Sequence, residues 1–183
     1  MRFSIKVAAL AATTMILVLV LASAVYGKTD SSDPVTVSAT VDNFISINPN
    51  TPVTVGLGTI VAPGDSVDGS ATWEVATNND SGYKLEVKAT GSPAMTKGTD
   101  SFDDYIGTGE WSISAASSAF GFSVNGTSDY RGFTGAAPIE IVNTPDETAG
   151  ESTTVYFKAQ VGASHLQTSG SYAANLTVTA TTL

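Results

Sequence analysis

Tyr83-Lys84-Leu85-Glu86-Val87-Lys88-Ala89 decides the fold. Tyr83, Leu85, Val87 and Ala89 share one parity, and Lys84, Glu86 and Lys88 share the other. A period of two places these sets on opposite sides of an extended backbone, so this is a strand with one packed face and one wet face. Just upstream, Ala71-Thr72-Trp73-Glu74-Val75-Ala76-Thr77 has Trp73 and Val75 on one side. Between the two runs lies Asn78-Asn79-Asp80-Ser81-Gly82, a cluster of residues that turn a chain and tolerate positive φ. The two runs are expected to form a β-hairpin.

The same period recurs outward in both directions. Val35, Val37, Ala39 and Val41 alternate with Thr36, Ser38 and Thr40, and Phe44 to Ile47 continue the pattern until Asn48-Pro49-Asn50-Thr51-Pro52 breaks it. Val53 to Val55 and Leu57 to Ile60 read as short strands, stopped by Ala62-Pro63-Gly64-Asp65. Residues 91–109 are polar and glycine-rich and read as loop. Further strands are expected at 110–114, 119–124, 139–142, 153–161 and 171–181, with Val155, Phe157, Ala159 and Val161 inward on one of the last two and Tyr172, Ala174, Leu176, Val178 and Ala180 inward on the other. No convincing amphipathic helix occurs. The expected fold is all-β: a Greek-key, immunoglobulin-like β-sandwich of about eight to ten strands, one domain over residues 35–183.

The N-terminus sets the compartment. Behind Arg2 and Lys6, Val7 to Gly27 is almost wholly apolar, and the run reaches Ala22-Ser23-Ala24, whose small-x-small spacing suits the pocket of a signal peptidase. Residues 1–24 are expected to be an export signal, cleaved after Ala24 or secondarily after Gly27, with residues 25–34 a flexible leader. The apolar run approaches the ~20 residues that span a bilayer, so an uncleaved anchor with its basic end inside is the competing expectation. Either way the body stands outside the cell, secreted or on the cell surface. The formal charge of −9 becomes more acidic once Arg2 and Lys6 are removed. An acidic body repels phosphate backbones and anionic lipid, which excludes nucleic acid and, after cleavage, membrane as partners. The chain has no cysteine, so disulfides, thiol catalysis and thiolate metal sites are all excluded.

No catalytic constellation is expected, and the protein reads as a non-enzyme. His165 is the only histidine, in Gly-Ala-Ser-His-Leu, with no nucleophile marked beside it. Asp103 with Asp104, and Glu74 with Glu86, are the only carboxylate pairs worth weighing for glycoside hydrolysis, and a charge-paired surface explains Glu86 between Lys84 and Lys88. Asp100, Asp103 and Asp104, with Glu110 beyond, offer oxygens to Ca²⁺ but lack EF-hand spacing, so no cofactor is assigned. Three sequons, at Asn79, Asn125 and Asn175, are candidate glycosylation sites expected to face solvent. Among the aromatic residues, Trp73 and Tyr83 have inward parity, whereas Tyr156 and the loop residue Tyr105 are candidates to stack on a sugar ring.

Four stretches carry a resemblance: Val55-Gly56-Leu57-Gly58-Thr59-Ile60, Gly82-Tyr83-Lys84-Leu85-Glu86-Val87, Ala119-Phe120-Gly121-Phe122, and Gly170-Ser171-Tyr172-Ala173-Ala174-Asn175-Leu176-Thr177-Val178-Thr179-Ala180-Thr181. In this order they resemble the secreted surface β-sandwich domains of Gram-positive WxL proteins and of fimbrial-type subunits. Thr179 to Leu183 keeps the cadence of the closing WxL strand without its tryptophan, and Tyr83-Lys84-Leu85 stands where that family has Trp. The resemblance implies a surface-displayed, non-enzymatic domain that is wall-associated or built into a fibre, with envelope polysaccharide or other copies of itself as partner. Without a C-terminal sorting signal or second apolar segment, attachment is expected to be non-covalent. In fimbrial-type subunits a donated strand links neighbours, and Val35, Val37, Ala39 and Val41 are the candidate donor residues here. A secreted carbohydrate-binding module is the alternative.

Overall fold

The structure is a computed structural model that describes residues 36–183 apart from residues 50 and 52. The export signal at 1–24, the leader at 25–34 and Val35 lie outside the described residues. Two compact units are distinguished, Met1–Asp42 and Asn43–Leu183. The second contains ten strands: β1 (Ile45–Asn48), β2 (Ser66–Thr77), β3 (Tyr83–Ala89), β4 (Met95–Lys97), β5 (Asp100–Asp104), β6 (Ser118–Val124), β7 (Ile139–Thr144), β8 (Thr148–Val161), β9 (Ala173–Ala174) and β10 (Leu176–Thr182). They form a seven-stranded sheet, ordered β1-β2-β8-β6-β5-β4-β9, and a three-stranded sheet, β10-β3-β7. No helix occurs among the described residues. The all-β sandwich expected from the alternation is the fold that forms.

β8 is the spine of the larger sheet, antiparallel to β2 on one side and to β6 on the other. Thr153, Val155, Phe157, Ala159 and Val161 are its buried parity. Across the sandwich, Val87 and Ala89 of β3 join Phe102, Phe120, Phe122, Phe133 and Phe157 in the main core. The rings pack tightly, with centroids 5.7 Å apart for Phe120–Phe133 and 4.8 Å for Phe122–Phe133. Each fully buried side chain of this kind contributes about 1.5–3 kcal/mol, and here it replaces the absent disulfides. A second cluster, Val75, Tyr83 and Leu85, fills the other end. Tyr83 donates its hydroxyl to Glu151 at 3.0 Å, and Thr144 donates to the same oxygen at 3.0 Å.

Several expected pairings are corrected. β2 and β3 are not a hairpin: β2 pairs with β1 and β8, while β3 pairs with β10 and β7 in the opposite sheet. Residues 78–82 form an arch between sheets, which stand ~10 Å apart in a sandwich. Two strands with one apolar face each gain more by burying those faces against one another than by lying edge to edge. The arch is fixed by Asn79, whose Nδ2 donates to the Leu183 carbonyl and whose Oδ1 accepts from Ser81 N. Gly82 closes it at φ +79, where a Cβ would lie 1.8 Å from the Thr144 carbonyl oxygen.

The polar stretch 91–109 contains β4 and β5, because Met95 and Phe102 reach the core despite their hydrophilic neighbours. Conversely, 110–114 forms no strand. Trp111 and Ile113 instead pack on the outer side of the larger sheet with Tyr105, Ala119 and Tyr130, so β6 is buried on both faces. The expected last strand is split at Asn175: β9 ends the seven-stranded sheet and β10 ends the other. Residues 36–44, expected as a strand from Val35, have no regular secondary structure. Alternation supplies faces but no ladder partner, and a lone strand is not stable in water. Val37 and Val41 are 77% and 82% exposed.

Candidate strand-docking groove

β10 is the outer strand of its sheet and hydrogen-bonds as a ladder only with β3, although β1 of the facing sheet approaches it and shares a core cluster with it. On the facing side, β1 covers β2 only from Glu74 to Thr77. Alongside the rest of β2 runs the segment 53–61, which belongs to no ladder. It is seated by Gly69, which has inward parity in β2. A Cβ there would meet Val55 Cγ1 at 2.9 Å, Leu57 Cδ2 at 3.1 Å and the Gly56 carbonyl oxygen at 3.3 Å. Val55, Leu57 and Ile60 pack on the core. The Asp65 carboxylate holds the far end, accepting from Val61 N at 3.1 Å and Ala62 N at 2.9 Å.

Between this segment and residues 165–178 an open groove of about 1310 Å³ reaches down to Phe102, Phe120 and Phe157. Among the described residues that line it none is Asp, Glu, Lys or Arg, although the chain carries a formal charge of −9. Its far wall is braced by a polar chain: His165 Nε2 meets Gln167 Oε1 at 3.2 Å, Gln167 Nε2 donates to the Ser101 carbonyl and to Tyr172 Oη, and Tyr172 Oη donates to the Thr168 carbonyl. The arrangement offers two backbone edges above an apolar floor, which are the requirements for adding a strand.

Residues weighed for chemistry do not converge. His165 has Gln167 as its hydrogen-bond partner rather than a serine or carboxylate. Glu74 and Glu86 lie in different sheets, and Glu86 pairs with Lys84 at 3.0 Å. Asp100 pairs with Lys97 at 3.0 Å, Asp104 accepts from Ser92 Oγ and Ala94 N, and Asp103 is exposed. Among the described residues no group of three or more His, Asp or Glu is placed to hold a metal.

The sequons divide. Asn79 is 5% exposed, because its turn is an arch packed against the chain end. Asn125 is exposed at φ 52, with Oδ1 accepting from Thr154 N. Asn175 is exposed at the passage from β9 to β10, and its carbonyl accepts from Thr90 N and Oγ1. Of the aromatics, Tyr105 is buried and stacked on Trp111 at 4.4 Å, with Tyr130 at the Trp111 edge. Lys158 Nζ lies 5.8 Å from the Trp111 ring and 5.9 Å from the Tyr130 ring. Burial raises the Tyr130 hydroxyl above its ordinary pKa. Tyr156 is half-buried on the outer side of β8. Sequence reasoning missed Gly69 and the 165–170 wall. A glycine at inward parity between Val67 and Ala71 was the one available signal for the former.

The sequence matches no protein-family model and no curated protein.

Proposed function

We propose that the chain is an exported, non-catalytic structural subunit of a cell-surface assembly, wall-associated or fibre-forming, which joins neighbours by accepting a β-strand into its groove. The observation that carries this reading is the edge of β10, laddered only to β3, beside a groove whose floor reaches the apolar core and whose described lining holds no Asp, Glu, Lys or Arg. An unpaired edge over apolar surface is a liability unless something covers it. A seated strand gives affinity through backbone hydrogen bonds and specificity through alternate side chains. The apolar N-terminal run and the resemblance to surface β-sandwich domains support display outside the cell.

The test is assembly by the mature protein. Negative-stain microscopy and sedimentation should give polymers that are lost when residues 25–41 are deleted. A protein that stays monomeric at every concentration overturns the reading. The carbohydrate-binding alternative has less support, since Tyr105 is committed to packing. Retention on insoluble polysaccharide, abolished by Tyr156→Ala, would favour it.

A further inference from the structure

We infer that the end of the sandwich built by residues 61–65, 114–117 and 162–166 is a contact surface of its own, on which two copies of the chain meet tip to tip about a two-fold axis. This goes beyond strand addition and uses a different face. β2 starts at this end, β6 starts beside it and β8 finishes there. The arch at 78–82 lies at the opposite end, about 35–40 Å away along the twelve residues of β2.

The three loops are tied into one cap. Gly64 N donates to the Val161 carbonyl at 2.9 Å, Gly162 N to the Ser117 carbonyl at 2.8 Å and Ser164 N to the Ala115 carbonyl at 2.8 Å. A Cβ on Gly162 would lie 2.5 Å from the carbonyl oxygens of both Ser114 and Ala115, so the loops pack backbone on backbone. From this frame Val61 and Leu166 project with 84% and 86% of their surface exposed, beside exposed Pro63, Ala115, Ala116 and Ala163. Asp65 is the only Asp, Glu, Lys or Arg in the three loops, and its carboxylate turns back to accept from Val61 N and Ala62 N. Single exposed aliphatics are ordinary on a surface, but a cap that gathers them from three loops and holds no outward charge marks a place of contact.

The placement of charge selects a second copy, and its orientation. The arch end exposes Glu74, Asp80, Asp146 and Glu147. A head-to-tail contact would press aliphatic side chains onto these carboxylates and strip their water, which is costly. Tip to tip, an uncharged cap meets its own like, as a self-complementary two-fold contact requires, and the acidic ends point away from each other. Six exposed residues fall well short of the ~20–30 a side of a standard interface, so the contact is weak between free chains. It gains where copies are held close together, at effective concentrations in the mM range.

The experiment is sedimentation equilibrium, up to ~1 mM, on the mature full-length protein carrying Val37→Lys, with and without Ala163→Glu. Val37→Lys charges the candidate donor segment at a position 77% exposed, and so removes strand addition while leaving the body as it is. Ala163 is exposed and lies outside the groove lining. The Val37→Lys protein should form dimers and nothing larger, and Ala163→Glu should weaken the dimer at least tenfold at unchanged Tm. Ala163→Glu alone should leave polymers intact. A Val37→Lys protein that stays monomeric, or a dimer indifferent to Ala163→Glu, overturns the tip contact. Loss of polymers as well as dimers in Ala163→Glu makes the cap part of the strand-linked joint and overturns it as a separate surface. Binding to phosphatidylcholine vesicles without dimers assigns the cap to lipid and overturns the second copy. A dimer sensitive to Ala163→Glu in a parent that never polymerises upholds the tip contact and overturns strand addition.

Discussion

Val55 occupies the space that a side chain on Gly69 would fill: a Cβ there would lie 2.9 Å from Val55 Cγ1. The glycine and the valine are one fitted pair, and the groove wall depends on it. Gly69→Ala should therefore cost about 1–3 kcal/mol through overpacking, or push residues 53–57 outward. Urea unfolding measures the first outcome and proteolysis within 53–61 the second. A variant as stable and as resistant as the parent would show that the pair carries no weight.

Introducing a charge into the groove should separate folding from assembly. Val178→Lys places an ammonium among residues that include no Asp or Glu to pair with it. Val178 is half-buried and packs on both core clusters, so the Tm should fall, and docking, read well below that Tm, would further desolvate the charge and should weaken at least a hundredfold. Sedimentation at matched concentrations reads the difference.

Tyr83 gives a prediction for alkaline pH. Burial, and next the hydrogen bond to Glu151, push its hydroxyl up to about 12. The folded state thus holds the proton more tightly than the unfolded chain, whose tyrosines titrate near 10. This contribution is complete below about pH 10 and is lost as pH rises towards about 12, amounting to roughly 2–3 kcal/mol. Denaturant melts across that window should show the parent losing stability relative to Tyr83→Phe as pH rises, and parallel curves would remove the tyrosine from the account.

Chelator and reductant should leave the Tm unchanged. There is no cysteine to reduce, and Asp100 and Asp104 are engaged with Lys97, Ser92 and Ala94. A large drop on adding EDTA would mean an ion that binds the native state alone and stabilises it by mass action.

Processing is decided by intact mass. Protein recovered from the medium or cell surface should lack residues 1–24 or 1–27, since Ala22-Ser23-Ala24 suits the peptidase. A mass that retains Met1 to Leu21 would make the segment an anchor.

Parity was readable from sequence, and partnership was not. Tyr83, Leu85 and Val87, or Val155, Phe157 and Ala159, declare their face because a two-residue period acts on every neighbour along the strand. Which edge meets which depends on distant residues. The turn-rich cluster at 78–82 suits a hairpin as well as an arch, and Asn79 settles the matter by bonding to Leu183, over a hundred positions away. Met95 and Phe102 were hidden because their strands are short and their neighbours polar. The groove was unreadable for the same reason, since 53–61 and 165–178 meet only through the fold.

The absence of Asp, Glu, Lys and Arg among the described residues of the groove lining has a consequence for ionic strength. Two bodies of formal charge −9 repel on approach, and that repulsion is screened over ~10 Å at 0.1 M salt. Contacts made inside an uncharged groove have no ion pair for salt to weaken. Salt should thus quicken the encounter of two copies while leaving the lifetime of the joined state unchanged, the reverse of an interface held together by opposite charges.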